Sequence, residues 1–391
     1  MNEKNKIFSF FLAVLILFTS WTVYFTVPVP TLFHAIYLLL LFLFFKDLTV
    51  KKTRLFIVFF FISMWYFLPS DLEFKGICTG FYRSLVISSL FLLKDECIYY
   101  VYNYFVSILS LVLLFGIVAH ILRFLDIFSF PQIDIVFRDE RYYEVYFLHV
   151  YQSNTSMRFA SIFDEPGYLG TLCGFLLALG RFDFKKYQNL IFLFAGMLSL
   201  SFAFYVILFV LLALYLIKER KISIMFAVFS VGLLLVYCFP DFFSVIIERP
   251  ELVSMSQGTG FQDSRGGTAG MRDNLDTIHS RSFINILIGN GYDAPLKLFK
   301  YNTVGIASSS IFRLIFQMGY LGLLSLLFFI VFNTKKQFHS LLFSLVFILS
   351  LYQRPHIFEM TFIFLLAYAF LLSEGYEPIN IIRHRKSDNR V

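Results

Sequence analysis

Long apolar runs recur from one end of the chain to the other, and they constrain the fold more than any other feature. Most approach the roughly 20 residues that a helix needs to cross the hydrocarbon core of a bilayer, and short basic clusters separate them. Of the 391 residues, 58% are hydrophobic and only 15% are charged, a balance that water-soluble domains of this size rarely show. The sequence therefore predicts an all-α polytopic membrane protein, because it lacks the alternating pattern of a membrane β-barrel.

Hydropathy predicts about twelve transmembrane helices in a single integral membrane domain that covers residues 1–391. The predicted spans are 7–27, 31–45, 55–69, 77–93, 98–121, 162–179, 188–200, 201–217, 222–239, 307–331, 338–352 and 357–373. Basic clusters follow an even number of crossings, which places both termini in the cytoplasm; they are 46–54, 181–186, 218–221, 335–336 and 383–386. The run 188–217 could also be one long tilted helix, but the charge rule requires a break at Ser199 and Ser201.

Charge and cysteine content exclude several kinds of protein. The net charge of +7 comes from the cytoplasmic side, where it orients the helices, and does not indicate a nucleic-acid partner. The four cysteines have neither metal-ligand nor CxxC spacing, so we expect neither disulfides nor a metal. Nucleotide-binding motifs are missing from the sequence as well. We therefore expect no cofactor.

Two segments are too long to be turns, and both are predicted to be periplasmic. They are residues 122–161 and the larger segment 240–306, which holds most of the Gly, Asp and Arg found outside the spans. Long loops on a compact scaffold are usually functional or disordered, and the apolar content of both segments argues against disorder. Function is therefore expected on this side of the membrane.

The first candidate stretch is RFASIFDEPGYLG, residues 158–170. Pro166 favours the first turn of a helix, so it predicts that a span starts here with Asp164 and Glu165 at the cap. One interpretation is that the carboxylates cap the helix and pair with Arg158. The other is that Arg158 and Glu165 face a cavity at the outer leaflet, where they contact a phosphate and a sugar hydroxyl.

The second candidate stretch is residues 264–295 of the larger loop. Its periodicity predicts an amphipathic helix from about Ala269 to Leu287 that projects Arg272 and His279 along one face, and the Gly289-Asn290-Gly291 run is predicted to end that helix. Further residues near the outer ends of spans are candidates for lining the same cavity, although snorkelling or ion pairing explains them equally well; they are Asp71, Glu73, Arg83, Arg354, His356 and Glu359.

Arginines concentrate in this outward loop, at Arg249, Arg265, Arg272 and Arg281. An outward loop gains nothing from positive-inside orientation, and arginine suits bidentate binding of phosphate. Each arginine taken alone can equally be a salt-bridged surface residue. Since ATP and sugar nucleotides are scarce outside the cell, a lipid-linked donor carrying its own diphosphate is the more plausible substrate.

Three stretches resemble the Wzy family of O-antigen and related bacterial polysaccharide polymerases. They are RFASIFDEPGY at 158–168, the arginine-to-GxG stretch at 272–291, and ASSSIFRLIFQMGYLG at 307–322. The order of these stretches and the long loop between late spans are also similar. The related O-antigen ligases typically carry a histidine where Ser308, Ser309 and Ser310 stand here, which favours a polymerase over a ligase.

The resemblance implies a membrane glycosyltransferase with a GT-C-like helical scaffold in the bacterial inner membrane, acting at the periplasmic face. It would transfer a growing glycan from undecaprenyl diphosphate onto a new lipid-diphosphate-linked repeat unit, without a metal. Arg158, Arg272 and Arg281, with Arg265 nearby, would bind the diphosphate, and either Glu165 or His279 would orient or deprotonate the acceptor hydroxyl. Its partners would be lipid-linked oligosaccharides, membrane lipid, a chain-length regulator and a flippase.

Two other classes are weaker alternatives. A lipid-linked oligosaccharide flippase is expected to carry charges at the membrane midplane, and those are nearly missing from this sequence. A structural partner in polysaccharide export would not need arginines clustered beside an E-P helix cap.

Overall fold

The computed structural model describes residues 3–19, 34, 36–38, 49–127, 131, 133–136, 142–146, 149–152, 158–163, 165–221, 282–294, 310–334, 337–351 and 358–376. The predicted span 222–239, most of 31–45 and most of the 240–306 loop lie outside these residues. The domain prediction stays a prediction.

The described residues are mostly helical, as the sequence predicted. The helices are α1 (Glu3–Phe18), α2 (Val50–Phe67), α3 (Phe74–Ser88), α4 (Asp95–Phe124), α5 (Pro166–Leu179), α6 (Tyr187–Leu198), α7 (Phe202–Lys218), α8 (Phe283–Ile288), α9 (Ser310–Thr334), α10 (Phe338–Leu351) and α11 (Met360–Ser373). A short 3₁₀ helix, Ser89–Leu92, follows α3. Within the part of the chain that the structure describes, two helices are long and apolar enough to cross a membrane, Asp95–Phe124 and Ile311–Thr334, and shorter apolar helices accompany them.

Two apolar helices form the centre of the bundle. Every residue of α5 and of α11 is buried, as expected for helices that are hydrophobic all round. α11 packs against α1, α3, α4, α5, α9 and α10. The start and the end of α11 are therefore reached by many other parts of the chain.

Several outer helices expose apolar stripes. On α4, Leu111, Leu114, Phe115 and Val118 are between 43% and 55% exposed, at the spacing of one helix face. On α9, Leu321, Leu324, Phe328 and Phe332 form a second stripe, in which Phe328 is 70% exposed. These helices are thus apolar on their exposed faces as well as on their buried faces.

The predicted break in the run 188–217 is confirmed. α6 ends at Leu198 and α7 begins at Phe202, and Leu200 between them has a positive φ of 47°. The small residues of this turn admit close packing, because Gly170 of α5 lies against Ser199 and Ser201.

A small antiparallel sheet in the 122–161 segment was not predicted. Strands β1 (Ile133–Val136), β2 (Tyr142–Tyr146) and β3 (His149–Gln152) pair in the order β1-β2-β3, with Ile133 opposite Val145 and Tyr146 opposite His149. These short stretches are rich in the β-branched and aromatic residues that favour strands. Hydropathy over span-length windows does not detect strands of four or five residues.

Candidate functional site

The candidate site lies at the N-terminal end of α11, where aromatic rings from distant parts of the chain meet. Phe358 stacks on Tyr66 at the end of α2, with ring centroids 4.2 Å apart. Tyr292 approaches Tyr66 edge-on at 5.5 Å, and Phe362 contacts Tyr168 of α5 at 5.0 Å. Tyr66, Tyr292 and Phe358 therefore form one aromatic wall between the end of α2, the segment after α8 and the start of α11, and Phe362 further along α11 contacts α5.

The Gly289-Asn290-Gly291 loop docks onto a break in α9. At Gly319 the backbone of α9 is not helical, with φ 67° and ψ 177°. The amides of Asn290 and Gly291 donate to the carbonyls of Phe316 and Gln317, at 2.8 and 3.0 Å. The loop thus satisfies carbonyl groups of the turn that precedes the break.

Local sequence explains why the loop takes this course. Ser282 caps α8, its side chain accepting from the Asn285 amide at 3.3 Å, and Gly289 ends that helix with a φ of 95°. The Trp65 indole donates to the Ile288 carbonyl at 2.8 Å, and the Tyr292 amide donates to the Leu68 carbonyl at 2.7 Å. The loop is therefore fixed between α2 and α9.

These contacts correct the predicted amphipathic helix. A continuous helix from Ala269 to Leu287 would pass through Ser282, but Ser282 has the extended ψ of 148° of an N-cap. A serine at a helix start bonds the backbone more favourably than a serine inside a helix. The predicted stop at Gly289-Asn290-Gly291 is confirmed.

Beneath this wall lies a small inner chamber of about 120 Å³. Its polar lining residues are Thr19, His34, Arg83 and Glu359, of which Glu359 and His34 are only 5% and 8% exposed. The Arg83 guanidinium lies 5.5 Å from the centre of the Tyr292 ring and 5.7 Å from that of Phe67. Charged groups and aromatic faces therefore surround one enclosed space.

A larger cavity shares residues with the chamber, and a third cavity shares Pro69 with that larger one. An acidic vestibule of about 330 Å³ shares Phe67, Arg83 and Tyr292 with the chamber and adds Asp71, Glu73 and Asp293. A cleft of about 500 Å³ lies between Trp65, the docked loop and α9. In the cleft wall, Gln317 is 1% exposed and donates from Nε2 to the Tyr292 carbonyl at 2.6 Å. Glycan-sized ligands fit such a series of cavities.

A second arginine belongs to this region. Arg313, in the first turn of α9, interacts electrostatically with Tyr66, as do Arg83 and Glu359. Among the described residues, the buried Nε of Arg313 has no hydrogen-bond partner. Two arginines and one carboxylate therefore lie within electrostatic range of Tyr66.

The RFASIFDEPGYLG stretch leads into α5, and none of its described residues lines the chamber, the vestibule or the cleft. Pro166 occupies the first turn of α5 and Glu165 is its N-cap residue, as predicted, but the Glu165 side chain makes no capping hydrogen bond. Arg158 donates from Nε to the Ser199 carbonyl at 3.3 Å. Of the two interpretations, a side-chain cap by Glu165 does not agree with the structure, while Asp164 lies outside the described residues.

The other predicted site residues, Arg265, Arg272, His279 and Arg281, lie outside the described residues. Arg354 and His356 do as well. Of the further candidates, Arg83 and Glu359 line the same chamber, and Arg83 shares the vestibule with Asp71 and Glu73. Within the described part of the chain, no group of three or more His, Cys, Asp or Glu residues is arranged to hold a metal.

Sequence reasoning missed the aromatic and amide parts of the site. Hydropathy does not distinguish these residues from their neighbours in apolar spans and loops; they are Trp65, Tyr66, Tyr292 and Gln317. One available signal was the position of Trp65 and Tyr66 just before Leu68-Pro69, since the ends of spans are where tyrosine and tryptophan concentrate.

No family model, curated protein or solved structure matches this chain.

Proposed function

We propose that this protein is a Wzy-type polymerase of a bacterial surface polysaccharide. It would be a metal-independent glycosyltransferase of the inner membrane that moves a growing glycan from undecaprenyl diphosphate onto a new lipid-linked repeat unit. The observation that carries the proposal is a set of contacts made by the described parts of the three family-like stretches, two of which bond each other while the first contacts α11. The loop at 289–291 bonds the stretch at 310–322 directly, and Tyr168 of the first stretch contacts Phe362 of α11.

The exposed apolar stripes of α4 and α9 support a location in the membrane. Soluble proteins rarely leave such continuous apolar faces uncovered, whereas lipid covers them. A bundle of this kind fits the GT-C-like scaffold with about twelve spans that the resemblance implies.

Contacts between helix ends support the proposed orientation. Lys52 at the start of α2 pairs with Asp95 at the start of α4 at 2.6 Å, and Lys51 pairs with Glu374 after α11. Lys218, at the end of α7, lies 4.5 Å from the ring of Phe338 at the start of α10. The basic clusters predict that these helix ends face the cytoplasm. The candidate site lies at the opposite helix ends and would therefore face the periplasm.

The proposed reaction forms a glycosidic bond without a cofactor. The acceptor hydroxyl attacks the anomeric carbon of the donor, the bond from that carbon to the diphosphate breaks, and the lipid diphosphate leaves with the electron pair. Arg158, Arg272 and Arg281 would stabilise the charge that develops on the diphosphate, with Arg265 close by in the loop. Glu165 or His279 would orient or deprotonate the acceptor hydroxyl.

The test is polymerisation by the purified protein in detergent with EDTA, supplied with lipid-diphosphate repeat units extracted from cells that lack it. We expect a ladder of glycans from the wild type. Arg272→Ala and Arg158→Ala should slow its formation by roughly 10²-fold or more, the usual cost of losing one stabilising donor, and Glu165→Gln should slow it if Glu165 assists the acceptor.

Matched controls are Arg220→Ala and Glu219→Gln, which change exposed residues just after α7 at the proposed cytoplasmic side. Both should polymerise like the wild type. A folded wild-type protein that forms no ladder would refute the polymerase, and transfer of a single preformed chain would favour the ligase-type alternative. A ladder unchanged by Arg272→Ala and Arg158→Ala would refute the assignment of the diphosphate site.

A further inference from the structure

The inner chamber contains more charged side chains than are needed to join the helices around it. Glu359 is the N-cap residue of α11, yet its side chain makes no capping hydrogen bond. It lines a space of about 120 Å³ together with Arg83 and His34. Ion pairs that only join helices are normally close-packed, whereas a polar space of this size is kept open by water or a ligand.

The lining defines the chemistry of the occupant. A carboxylate accepts hydrogen bonds from hydroxyl groups, and a guanidinium donates to hydroxyl or ether oxygens. The rings of Tyr66 and Tyr292 also line the chamber; Phe358 stacks on Tyr66 and Arg83 lies over Tyr292, so the rings add apolar surface with a hydroxyl at one edge. A sugar ring offers matching groups, since its hydroxyls lie around the edge and its C–H bonds cover the faces.

Other occupants fit the chamber less well. A diphosphate would meet the buried Glu359 carboxylate, and the adjoining vestibule adds three carboxylates, Asp71, Glu73 and Asp293, against one further cation, Lys75. A divalent cation needs several oxygen ligands, but the chamber offers one carboxylate and places Arg83 beside it. A neutral, hydroxyl-rich group avoids both conflicts.

The chamber also connects with the stretches on which the polymerase proposal depends. Its wall residue Tyr292 follows the docked Gly289-Asn290-Gly291 loop, and the Tyr292 carbonyl accepts from Gln317 of α9. Glu359 directly precedes α11, whose Phe362 contacts Tyr168. A ligand in the chamber would therefore touch the wall that joins these stretches.

We infer that the chamber lined by Arg83, Glu359 and Tyr292 is a sugar-binding subsite that receives one ring of the glycan substrate, with the acidic vestibule holding the next. This inference rests on the proposed function for the source of the glycan. The binding it describes is independent of turnover, of the lipid and of the diphosphate.

The test measures binding of the free repeat-unit oligosaccharide, released by mild acid from the lipid-linked pool of cells that lack the protein. The purified protein in nanodiscs is titrated by microscale thermophoresis. We expect Glu359→Gln and Arg83→Gln to bind at least about tenfold more weakly than the wild type, the usual effect of losing a hydrogen bond to a charged group.

A space-filling variant separates binding from folding. Ile87 is 5% exposed and lines the chamber, so Ile87→Phe fills part of the space and leaves every charge in place. It should weaken binding as strongly as Glu359→Gln. The matched control is Glu374→Gln, the same substitution after the opposite end of α11, which should bind like the wild type. Affinities are compared only among variants whose melting temperature equals that of the wild type.

The outcomes keep the two proposals apart. Wild-type affinity in both Glu359→Gln and Ile87→Phe, or no oligosaccharide binding by the wild type, would overturn the subsite even if a glycan ladder forms. Weakened binding in both variants, with no ladder from the wild type, would support the subsite and refute the polymerase. Inorganic diphosphate serves as a competing probe, and its binding in the chamber would also overturn the inference.

Discussion

At the scale of the residue, Gly319 determines how the candidate site is assembled. Its φ of 67° and ψ of 177° lie in a backbone region that essentially only glycine occupies. A Cβ at this position would also collide with the backbone of Leu287 and Ile288. The break in α9 and the docking of the Gly289-Asn290-Gly291 loop therefore require that residue 319 has no Cβ.

We predict that Gly319→Ala destabilises the folded protein by about 1–3 kcal/mol from backbone strain alone, with more from the collision. The control is Gly322→Ala in the same helix, where the three atoms nearest to a Cβ all belong to the Met318 side chain and none to the backbone; alanine favours helix by up to about 1 kcal/mol, so we expect a smaller cost than at Gly319. Thermal unfolding of the detergent-purified variants measures both. Equal melting temperatures for the two variants would show that α9 does not need its break.

At the scale of the element, the ends of the helices are joined by contacts of very different strength. Lys52 donates to the Leu93 carbonyl at 2.6 Å and pairs with Asp95, and its side chain is only 13% exposed. Lys51 pairs with Glu374, but those side chains are 49% and 38% exposed. Water competes for the second pair far more than for the first.

We therefore expect Lys52→Met to lower the free energy of unfolding by about 1–2 kcal/mol, because the Leu93 carbonyl and Asp95 both lose a buried partner. Lys51→Met should change it by no more than about 0.5 kcal/mol, as is typical of exposed pairs. Denaturant titration of the two neighbouring variants under identical conditions makes the comparison. A larger effect for Lys51→Met would contradict the assignment of the α2–α4 joint to Lys52.

Hydropathy and charge predicted most helices of this fold, including the break near Ser199 and Ser201, because apolar length and basic flanks are local properties of a sequence. They failed where structure depends on distant partners. The stretch around Gly319 reads as a continuous apolar helix, and only a loop about 30 residues earlier explains why it breaks. Ser282 likewise rules out one continuous helix from Ala269 to Leu287, because it is the N-cap residue of α8.

The candidate site was predictable in part for the same reason. The positions of Arg83 and Glu359 near outer span ends indicated a shared cavity, since a charge in an apolar run stands out in the sequence. Tyr66, Tyr292 and Gln317 do not stand out, and their roles follow from contacts between α2, the loop after α8, and α9. The packing of helices and loops against one another determines which side chains line the same chamber.

At the scale of the whole molecule, the protein is proposed to divide its two faces between anchoring and chemistry. One face joins helix ends through Lys51 and Lys52. The other holds the chamber at the start of α11, the vestibule that shares residues with it, and the cleft beside the docked loop. Between the faces, the exposed apolar stripes of α4 and α9 would contact lipid.

The most direct test of this arrangement is photocrosslinking with a lipid-diphosphate repeat unit that carries a diazirine on its terminal sugar. The protein is crosslinked in membranes and the modified peptides are identified by mass spectrometry, with excess unlabelled substrate as the competitor. We predict competed crosslinks in residues 65–73, 288–294 and 358–362. Competed crosslinks confined to the helix ends near Lys52 and Lys218 would contradict a glycan-binding site at the start of α11.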